Sequence, residues 1–140
     1  MSDPLSKRRL KIWIRLLGLT RGAESHLRNF LRIKHDTTLP RFDVMAALYR
    51  RREGITMSEL SRLLLVSNGN STTVVDRLEH DGMVRRVPSE TDLRTVYVTL
   101  TPEGFALFES LAAEHEAEIN GLFSGLNETD LETLNEILKK

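Results

Sequence analysis

The segment from Val66 to Arg86, VSNGNSTTVVDRLEHDGMVRR, constrains the possible folds more than any other part of the chain. Small or apolar residues recur in it at i, i+3, i+4 and i+7, which is the spacing of one helix face: Ser71, Val74, Val75 and Leu78. Gly82 is placed to end this helix, because glycine readily adopts the left-handed conformation that a helix C-terminus often needs. We therefore predict a helix from Ser67 to Asp81 whose apolar face packs against the core.

The N-terminal turns of this predicted helix have an unusual composition. Every residue from Ser67 to Thr73 is Ser, Asn, Gly or Thr, types that favour caps and turns over helix interiors. A solvated helix could carry Glu, Lys or Arg at no cost in helix propensity, so these short uncharged side chains indicate a surface that contacts a partner. Gly69 also permits close approach of the backbone. An irregular surface turn is the alternative interpretation, because polar turns that contain glycine are common.

Capped helices precede this segment. A long helix is predicted from Leu5 to about His35, and a second, in TTLPRFDVMAALYRRREG, has Thr38 as its cap, Pro40 in its first turn and Gly54 as its terminator. A third helix, in TMSELSRLLL, begins at Thr56 with the spacing of a capping box. This third helix and the helix after it form a helix-turn-helix.

Two strands follow the helix-turn-helix. MVRRV and TVYVTL are rich in β-branched residues and are joined by the polar turn PSETDLR. Arg85 and Arg86 are adjacent in the first strand, so their side chains point to opposite faces and only one can face a partner. Two further helices begin at Thr101-Pro102 and at Leu126-Asn127. The predicted fold class is mainly α with a small β-hairpin wing, a winged helix-turn-helix between long flanking helices.

Charge is segregated along the chain although the formal net charge is +0. Residues 1–53 hold 13 Lys and Arg against 5 Asp and Glu, whereas residues 102–140 hold 2 against 9. A basic part can therefore face a polyanion such as DNA while an acidic part faces elsewhere.

Several classes of function are excluded by what the sequence lacks. There is no cysteine, so disulfides, thiolate zinc sites and thiol-based redox sensing are excluded. The histidines show no metal-ligand spacing, and there is no Walker loop, GxGxxG or nucleophile elbow. We therefore expect no metal, no cofactor and no enzymatic activity. Arg15 and Arg21 interrupt the N-terminal hydrophobic runs well short of a membrane span, so we expect a cytoplasmic protein without membrane contact.

The predicted first helix carries apolar residues on two separate stripes. The first stripe comprises Leu10, Trp13, Ile14, Leu17 and Leu31. The second stripe comprises Ile12, Leu16, Leu19, Ala23, Leu27 and Phe30. One stripe can pack on the chain's own domain, and we expect the other to contact a partner subunit.

The stretch MSELSRLLLVSNGNSTTVVDRLEHDGMVRRVPSETDLRTVYVTLTPEG resembles the MarR family of bacterial transcriptional regulators, most specifically in VVDRLEHDGMVRR and DLRTVYVTLTPEG. The resemblance implies a homodimer that binds a pseudo-palindromic operator in double-stranded DNA and usually represses transcription. It also implies a single chain unit, residues 1–140, with a winged helix-turn-helix lobe at 36–101 and dimerisation helices at 4–35 and 102–140.

The resemblance assigns roles to individual residues. Asp92 and Arg94 match the family's wing-tip Asp-x-Arg, with Arg94 in the minor groove and Asp92 as its orienting partner, whereas Leu93 stands where the family often has arginine. Asp76 and Arg77 match the Asp-Arg near the end of the DNA-reading helix, and Asp76 is expected to orient an arginine. Together with the polar helix face, this predicts ten DNA-binding residues: Ser67, Asn68, Gly69, Asn70, Thr72, Thr73, Arg77, Arg86, Asp92 and Arg94.

Many members of this family sense small, often aromatic and anionic ligands in a crevice between the dimerisation helices and the DNA-binding lobe. Five residues have side chains that could stack on a ring or hold a carboxylate: Trp13, Arg15, His35, Phe42 and Tyr49. Core packing is the commoner role for Trp13 and Phe42. We therefore expect a repressor that is released by such an effector. The alternative, based on the near-zero net charge and on Leu93, is a winged-helix protein-interaction module without specific DNA binding.

Overall fold

A computed structural model of the protein describes residues 3–64 and 70–140. Within these ranges the chain is mainly helical with one small antiparallel sheet, which confirms the predicted fold class. In chain order the elements are α1 (Pro4–His35), α2 (Leu39–Arg50), β1 (Ile55–Thr56), α3 (Met57–Leu63), α4 (Ser71–His80), β2 (Val84–Pro88), β3 (Val96–Leu100), α5 (Pro102–Leu122) and α6 (Glu128–Leu138). No helix in these ranges has both the length and the apolar character needed to cross a lipid bilayer.

The sheet has three strands in the order β1–β3–β2. β2 and β3 form the predicted hairpin, which runs in register from Val84 opposite Leu100 to Pro88 opposite Val96. The sequence does not predict β1, because its two residues are too few to show the alternation that identifies a strand. Ile55 of β1 pairs with Val98 and is fully buried. This pair joins the start of the helix-turn-helix to the hairpin.

Most predicted caps are present. The side chain of Thr38 caps α2, and that of Thr56 caps α3. At the start of α5 the Thr101 hydroxyl accepts a hydrogen bond from the Gly104 backbone N–H at 3.0 Å. Asn127 begins α6 in a complete capping box. These bonds satisfy backbone donors that the first turn of a helix would otherwise leave without partners.

Two predicted helix boundaries are wrong. α4 begins at Ser71 rather than Ser67, because Asn70 has extended dihedrals (φ −70°, ψ 110°) and serves as the N-cap. α2 ends at Arg50, before the Gly54 predicted to terminate it. Gly54 has a φ of +106° in the turn before β1, a backbone conformation that strains any other residue, and a Cβ there would also lie in tight contact, 3.1 Å from atoms of β3. Gly82, with a φ of +79°, follows α4 as predicted.

The chain divides into two compact units. Unit 1 comprises Met1–Leu27 and Ala113–Lys140, and unit 2 comprises Arg28–Ala112. The boundaries fall inside α1 and α5, because Leu31 and Phe108 belong to the core of unit 2. The other residues of that core come chiefly from α2, α4 and the sheet: Leu39, Phe42, Val44, Met45, Ala46, Ala47, Leu48, Ile55, Leu60, Val75, Leu78, Val84, Val98 and Leu111.

The N-terminal half of α1 is exposed on both apolar stripes. Trp13, on the first stripe, is 57% exposed, and Leu19, on the second, is 65% exposed. The expectation that one stripe packs on the chain's own domain is therefore wrong for this half of the helix. Within the described part of unit 1, α1 contacts α5 at His26, whose Nε2 lies 2.6 Å from Glu118 Oε2. The earlier turns of α1 are left uncovered.

The root of the hairpin is packed against the first turn of α5. The Thr101 hydroxyl donates a hydrogen bond to the Gly82 carbonyl oxygen at 2.6 Å, and the Thr101 N–H donates to the Met83 carbonyl oxygen at 3.0 Å. A Cβ at Gly104 would lie well inside van der Waals contact with that same Met83 carbonyl. Only glycine allows α5 to approach this closely.

We predict that Gly104→Ala destabilises the protein by about 1 to 3 kcal/mol, because a methyl group must push the Met83 backbone away. The free energy of unfolding is measured by urea denaturation. The matched control is Gly121→Ala in the same helix, where a Cβ meets nothing within 4 Å. This control should stabilise by about 0.5 to 1 kcal/mol through helix propensity. Equal effects of the two substitutions would contradict the close packing at Gly104.

Candidate nucleic-acid interface

The first turn of α4 presents short polar side chains on a capped helix. The Asn70 Oδ1 accepts hydrogen bonds from the backbone N–H groups of Thr72 at 3.0 Å and Thr73 at 3.3 Å. The side chains of Thr72 and Thr73 are themselves exposed. Because the positive end of the helix dipole lies at this turn, the exposed hydroxyls and the dipole together suit phosphates and base edges.

The two faces of α4 are as predicted from its apolar spacing. Val75 and Leu78 are fully buried in the core of unit 2. Five residues on the other face are exposed: Thr72, Thr73, Asp76, Arg77 and His80. The remaining three predicted contact residues of this region, Ser67, Asn68 and Gly69, lie outside the described residues. The packing of α4 therefore leaves its polar face accessible.

A network of ion pairs joins α4 to the hairpin. The guanidinium of Arg86, on β2, contacts Asp76 Oδ1 at 2.6 Å and Glu79 Oε1 at 2.7 Å. The backbone N–H of Arg86 also donates a hydrogen bond to Glu79 Oε2 at 3.1 Å. The hydrogen bond to Asp76, followed by that to Glu79, raises the pKa of the Arg86 guanidinium against the opposing effect of its partial burial. Arg86 is thus bound by two carboxylates of the same helix.

The sequence predicts only part of this network. Asp76 does contact an arginine, as expected, and the partner is Arg86. The participation of Glu79 is not predicted, although its position three residues after Asp76 places both carboxylates on adjacent turns of α4, where one cation can reach them. Arg85, the other candidate of the pair, is exposed. The prediction that Arg86 binds DNA remains to be tested.

The tip of the hairpin is held by its own hydrogen bonds. Ser89 Oγ accepts from the backbone N–H of Asp92 at 3.2 Å, and the hairpin is closed by a bond from Ser89 N–H to the Thr95 carbonyl at 2.9 Å. Asp92 Oδ1 accepts from the backbone N–H of Arg94 at 3.0 Å, so Asp92 fixes the Arg94 backbone rather than its guanidinium. Leu93 and Arg94 are exposed at this tip, Leu93 by 89%.

The five predicted ligand-binding residues are distributed over both units. Trp13 and Arg15 are exposed on α1 in unit 1. Phe42 is buried in the core, as its residue type suggested, whereas Trp13, for which core packing was also expected, is exposed. Tyr49 packs between aromatic side chains of α5, with its ring centroid 5.1 Å from that of Phe105 and 4.9 Å from that of Phe108.

His35, the fifth predicted ligand-binding residue, lies at the end of α1 in unit 2. Its ring is edge-on to Phe30 at 5.2 Å. A cavity in the same unit is lined by other residues, four of them arginines from α1, α2 and α4. The sequence gives no signal for this cavity, because the fold brings α4 against the junction of α1 and α2, which lies far from α4 along the chain. Residues 3–64 and 70–140 contain no group of three or more His, Asp or Glu side chains that could hold a metal ion.

A helix-turn-helix that is followed directly by a hairpin, with the exposed polar turn of one helix and an arginine at the hairpin tip, defines a winged helix-turn-helix DNA-binding protein. Comparison with known proteins agrees with this class. The family model described as MarR family matches residues 37–96. The transcriptional regulator MhqR from Bacillus subtilis strain 168 is 29% identical over 97% of this chain and 92% of its own length.

Two further proteins support the assignment. The uncharacterised regulator YkoM from Bacillus subtilis strain 168 is 36% identical over 76% of this chain and 69% of its own length. The structure of a cysteine-to-serine mutant of MarR from E. coli complexed with operator DNA is similar with a TM-score of 0.78 and 28% identity, covering 99% of this chain and 97% of that one. The chain belongs to the MarR family of winged helix-turn-helix transcriptional regulators, and it is a DNA-binding regulator.

Proposed function

We propose that the protein is a homodimeric repressor that binds a pseudo-palindromic operator and is released from it by a small organic anion. The observation that carries this proposal is the arrangement of α4 and the hairpin in unit 2. α4 exposes a capped polar turn, and the hairpin presents Arg94 at a tip fixed by hydrogen bonds. Repression is the expected result of operator occupancy, because a bound protein excludes the polymerase from overlapping promoter DNA.

In this proposal α4 enters the major groove. Thr72, Thr73 and Arg77 contact base edges and phosphates there, together with Asn70 and the preceding residues Ser67, Asn68 and Gly69. The similar MarR mutant from E. coli, whose structure contains operator DNA, supports binding to an operator.

The hairpin acts as the wing. Arg94 enters the neighbouring minor groove, where a guanidinium senses groove width and potential more than base identity. Asp92 contributes through its bond to the Arg94 backbone. Arg85 is exposed and is the better placed of the two strand arginines to contact a phosphate, whereas Arg86 supports the interface through Asp76 and Glu79.

The proposal of a homodimer rests on apolar residues of unit 1 that its described part leaves uncovered. On α1 these include Ile14, 58% exposed, and on α6 they include Ile137, 55% exposed. The others are of the same kind: Leu10, Ile12, Trp13, Leu16, Leu19, Leu122, Phe123, Leu131 and Leu138. Together these side chains expose more apolar surface than a monomeric protein usually does. A second copy of the chain is therefore the expected partner.

A DNA-binding assay tests the roles of α4 and the wing separately. Arg94→Ala should weaken binding to many sequences and reduce the slope of log affinity against log salt by about one, because one phosphate-region cation is lost. Thr72→Ala should instead relax preference at one base pair, at a cost of about 1 to 3 kcal/mol there. Affinity is measured by fluorescence anisotropy over a salt series on an operator selected from random DNA.

The matched control for Arg94→Ala is Arg21→Ala, which removes an exposed cation from α1 in unit 1 and should leave the salt slope unchanged. A folded Arg94→Ala protein with unchanged affinity and slope would remove the wing from the mechanism. If the wild-type protein selects no DNA sequence even at low salt, the protein-interaction alternative, which Leu93 at the wing tip favours, replaces the repressor proposal.

Sedimentation equilibrium tests the homodimer. We predict that Ile137→Asp produces folded monomers, because a charge is introduced into an apolar contact between subunits while the core of unit 2 is untouched. The control is Leu93→Asp, which places the same charge at an exposed leucine of the wing and should leave the assembly state unchanged. An Ile137→Asp protein that remains dimeric would show that α6 is not part of the interface.

A further inference from the structure

Leu93 is the most exposed large apolar side chain among the residues that the structure describes. It is 89% exposed, whereas the next highest fractions, those of Ile33 and Leu138, are 67%. Every other residue from Ser89 to Thr95 is polar. Single exposed leucines are common on protein surfaces. The place of Leu93 in the fold must therefore decide whether it has a role.

Leu93 shares a tightly held turn with Arg94. The Thr95 N–H donates a hydrogen bond to the Asp92 carbonyl oxygen at 3.0 Å, so Leu93 and Arg94 are the two central residues of a β-turn at the tip of the hairpin. The Asp92 carboxylate also holds this turn, because its Oδ1 accepts from the Arg94 N–H at 3.0 Å and its Oδ2 accepts from the Thr95 hydroxyl at 3.1 Å. Any partner that Arg94 contacts therefore lies within reach of Leu93.

This pair of side chains suits a DNA minor groove better than the surface of another protein. A stable protein interface buries about 800 Å² on each partner around an apolar centre. One leucine among polar neighbours does not supply such a centre. A minor groove, by contrast, attracts an arginine by its negative potential, and leucine is one of the side chains that wedge between stacked bases there.

We propose that Leu93 enters the minor groove beside Arg94 and wedges into a TpA step, in which thymine is followed by adenine on one strand. Leu93 is then a specificity-determining residue, and each wing selects operators that carry this step at the position where it binds. The proposal rests on the repressor function proposed above, because it requires the wing to contact operator DNA.

Two requirements lead to the TpA step. Arg94 favours A·T pairs, because a G·C pair places the guanine amino group in the minor groove. A leucine wedge favours a pyrimidine–purine step, because these steps unstack most easily. Burial of the leucine and unstacking of the bases have free energies of similar size and opposite sign. The deformability of the step therefore decides whether the wedge is inserted, and TpA is the pyrimidine–purine step made of A·T pairs alone.

Operator affinity tests this preference. The DNA is the operator that the wild-type protein selects from random sequence, which should carry TpA in the minor-groove segment whose footprint Arg94→Ala loses. In a matched operator the step is changed to ApT, which presents the same minor-groove acceptors but is stiffer. We expect the wild type to bind the ApT operator about tenfold more weakly and Leu93→Ala to distinguish the two by about twofold or less. The salt slope of Leu93→Ala should equal that of the wild type, because no charge is lost.

Three further variants show which property of the side chain matters. Leu93→Met keeps an apolar side chain of similar volume and should retain the preference for TpA. Leu93→Arg should lose the preference and increase the salt slope by about one, because a cation is added. The control is Leu107→Ala, which truncates another exposed leucine of unit 2, on α5, and should behave like the wild type. Circular dichroism melting confirms that each variant is folded.

The fluorescence of 2-aminopurine reports the wedge itself. This base replaces the adenine of the TpA step, and its emission rises when it is unstacked. At protein concentrations that saturate the DNA, the wild type and Leu93→Met should raise the emission. Leu93→Ala and Leu93→Arg should leave it near the value of free DNA.

Three results would overturn the wedge and leave the repressor function intact. The first is a Leu93→Ala protein that keeps the preference for TpA. The second is specific binding by the wild type without a rise in 2-aminopurine emission. The third is a selected operator without TpA at the wing. A wild-type protein that selects no DNA would instead refute the repressor function together with the wedge, and it would make Leu93 a contact for a protein partner.

Discussion

The ion pairs of Arg86 fix the relation between α4 and the wing, and the proposed DNA-binding surface depends on that relation. The guanidinium lies between Asp76 and Glu79 of α4, while its backbone belongs to β2. Two carboxylates on a helix that faces a polyanion would oppose binding unless a cation offset them. Arg86 supplies this cation. Because its backbone belongs to β2, it also holds that strand against α4. The exposed groups are thereby presented in one arrangement.

Other contacts in unit 2 also hold α4 and the hairpin in a single arrangement. Gly104 and Thr101 hold the base of the hairpin against α5, and the Asn70 side chain fixes the start of α4. The side chains left exposed on this framework, notably Thr73 and Arg77, are those proposed to contact DNA. Both also line the arginine-rich cavity beside α4.

Apart from the two-residue strand β1, the order of elements could be predicted from the sequence because local signals determine it. The caps at Thr38 and Thr56 and the apolar face of α4 are read from spacing alone. The ion pairs of Arg86 could be predicted only in part, and the cavity not at all, because both depend on which distant residues the fold brings together. The exposure of Trp13 was also not predictable, since an apolar stripe does not reveal whether its own chain or a partner covers it.

The most direct test of this account asks whether Arg86 acts through α4 or on DNA. The operator affinity and salt slope are measured for Arg86→Met and for a triple variant that adds Asp76→Asn and Glu79→Gln. We expect Arg86→Met to weaken binding about tenfold at low salt and less at high salt, where the carboxylate–DNA repulsion is screened, and the triple variant to recover most of the affinity and the wild-type slope, because the uncompensated carboxylates are gone. A triple variant as weak as Arg86→Met, with a slope reduced by about one, would contradict the account and make Arg86 a phosphate contact.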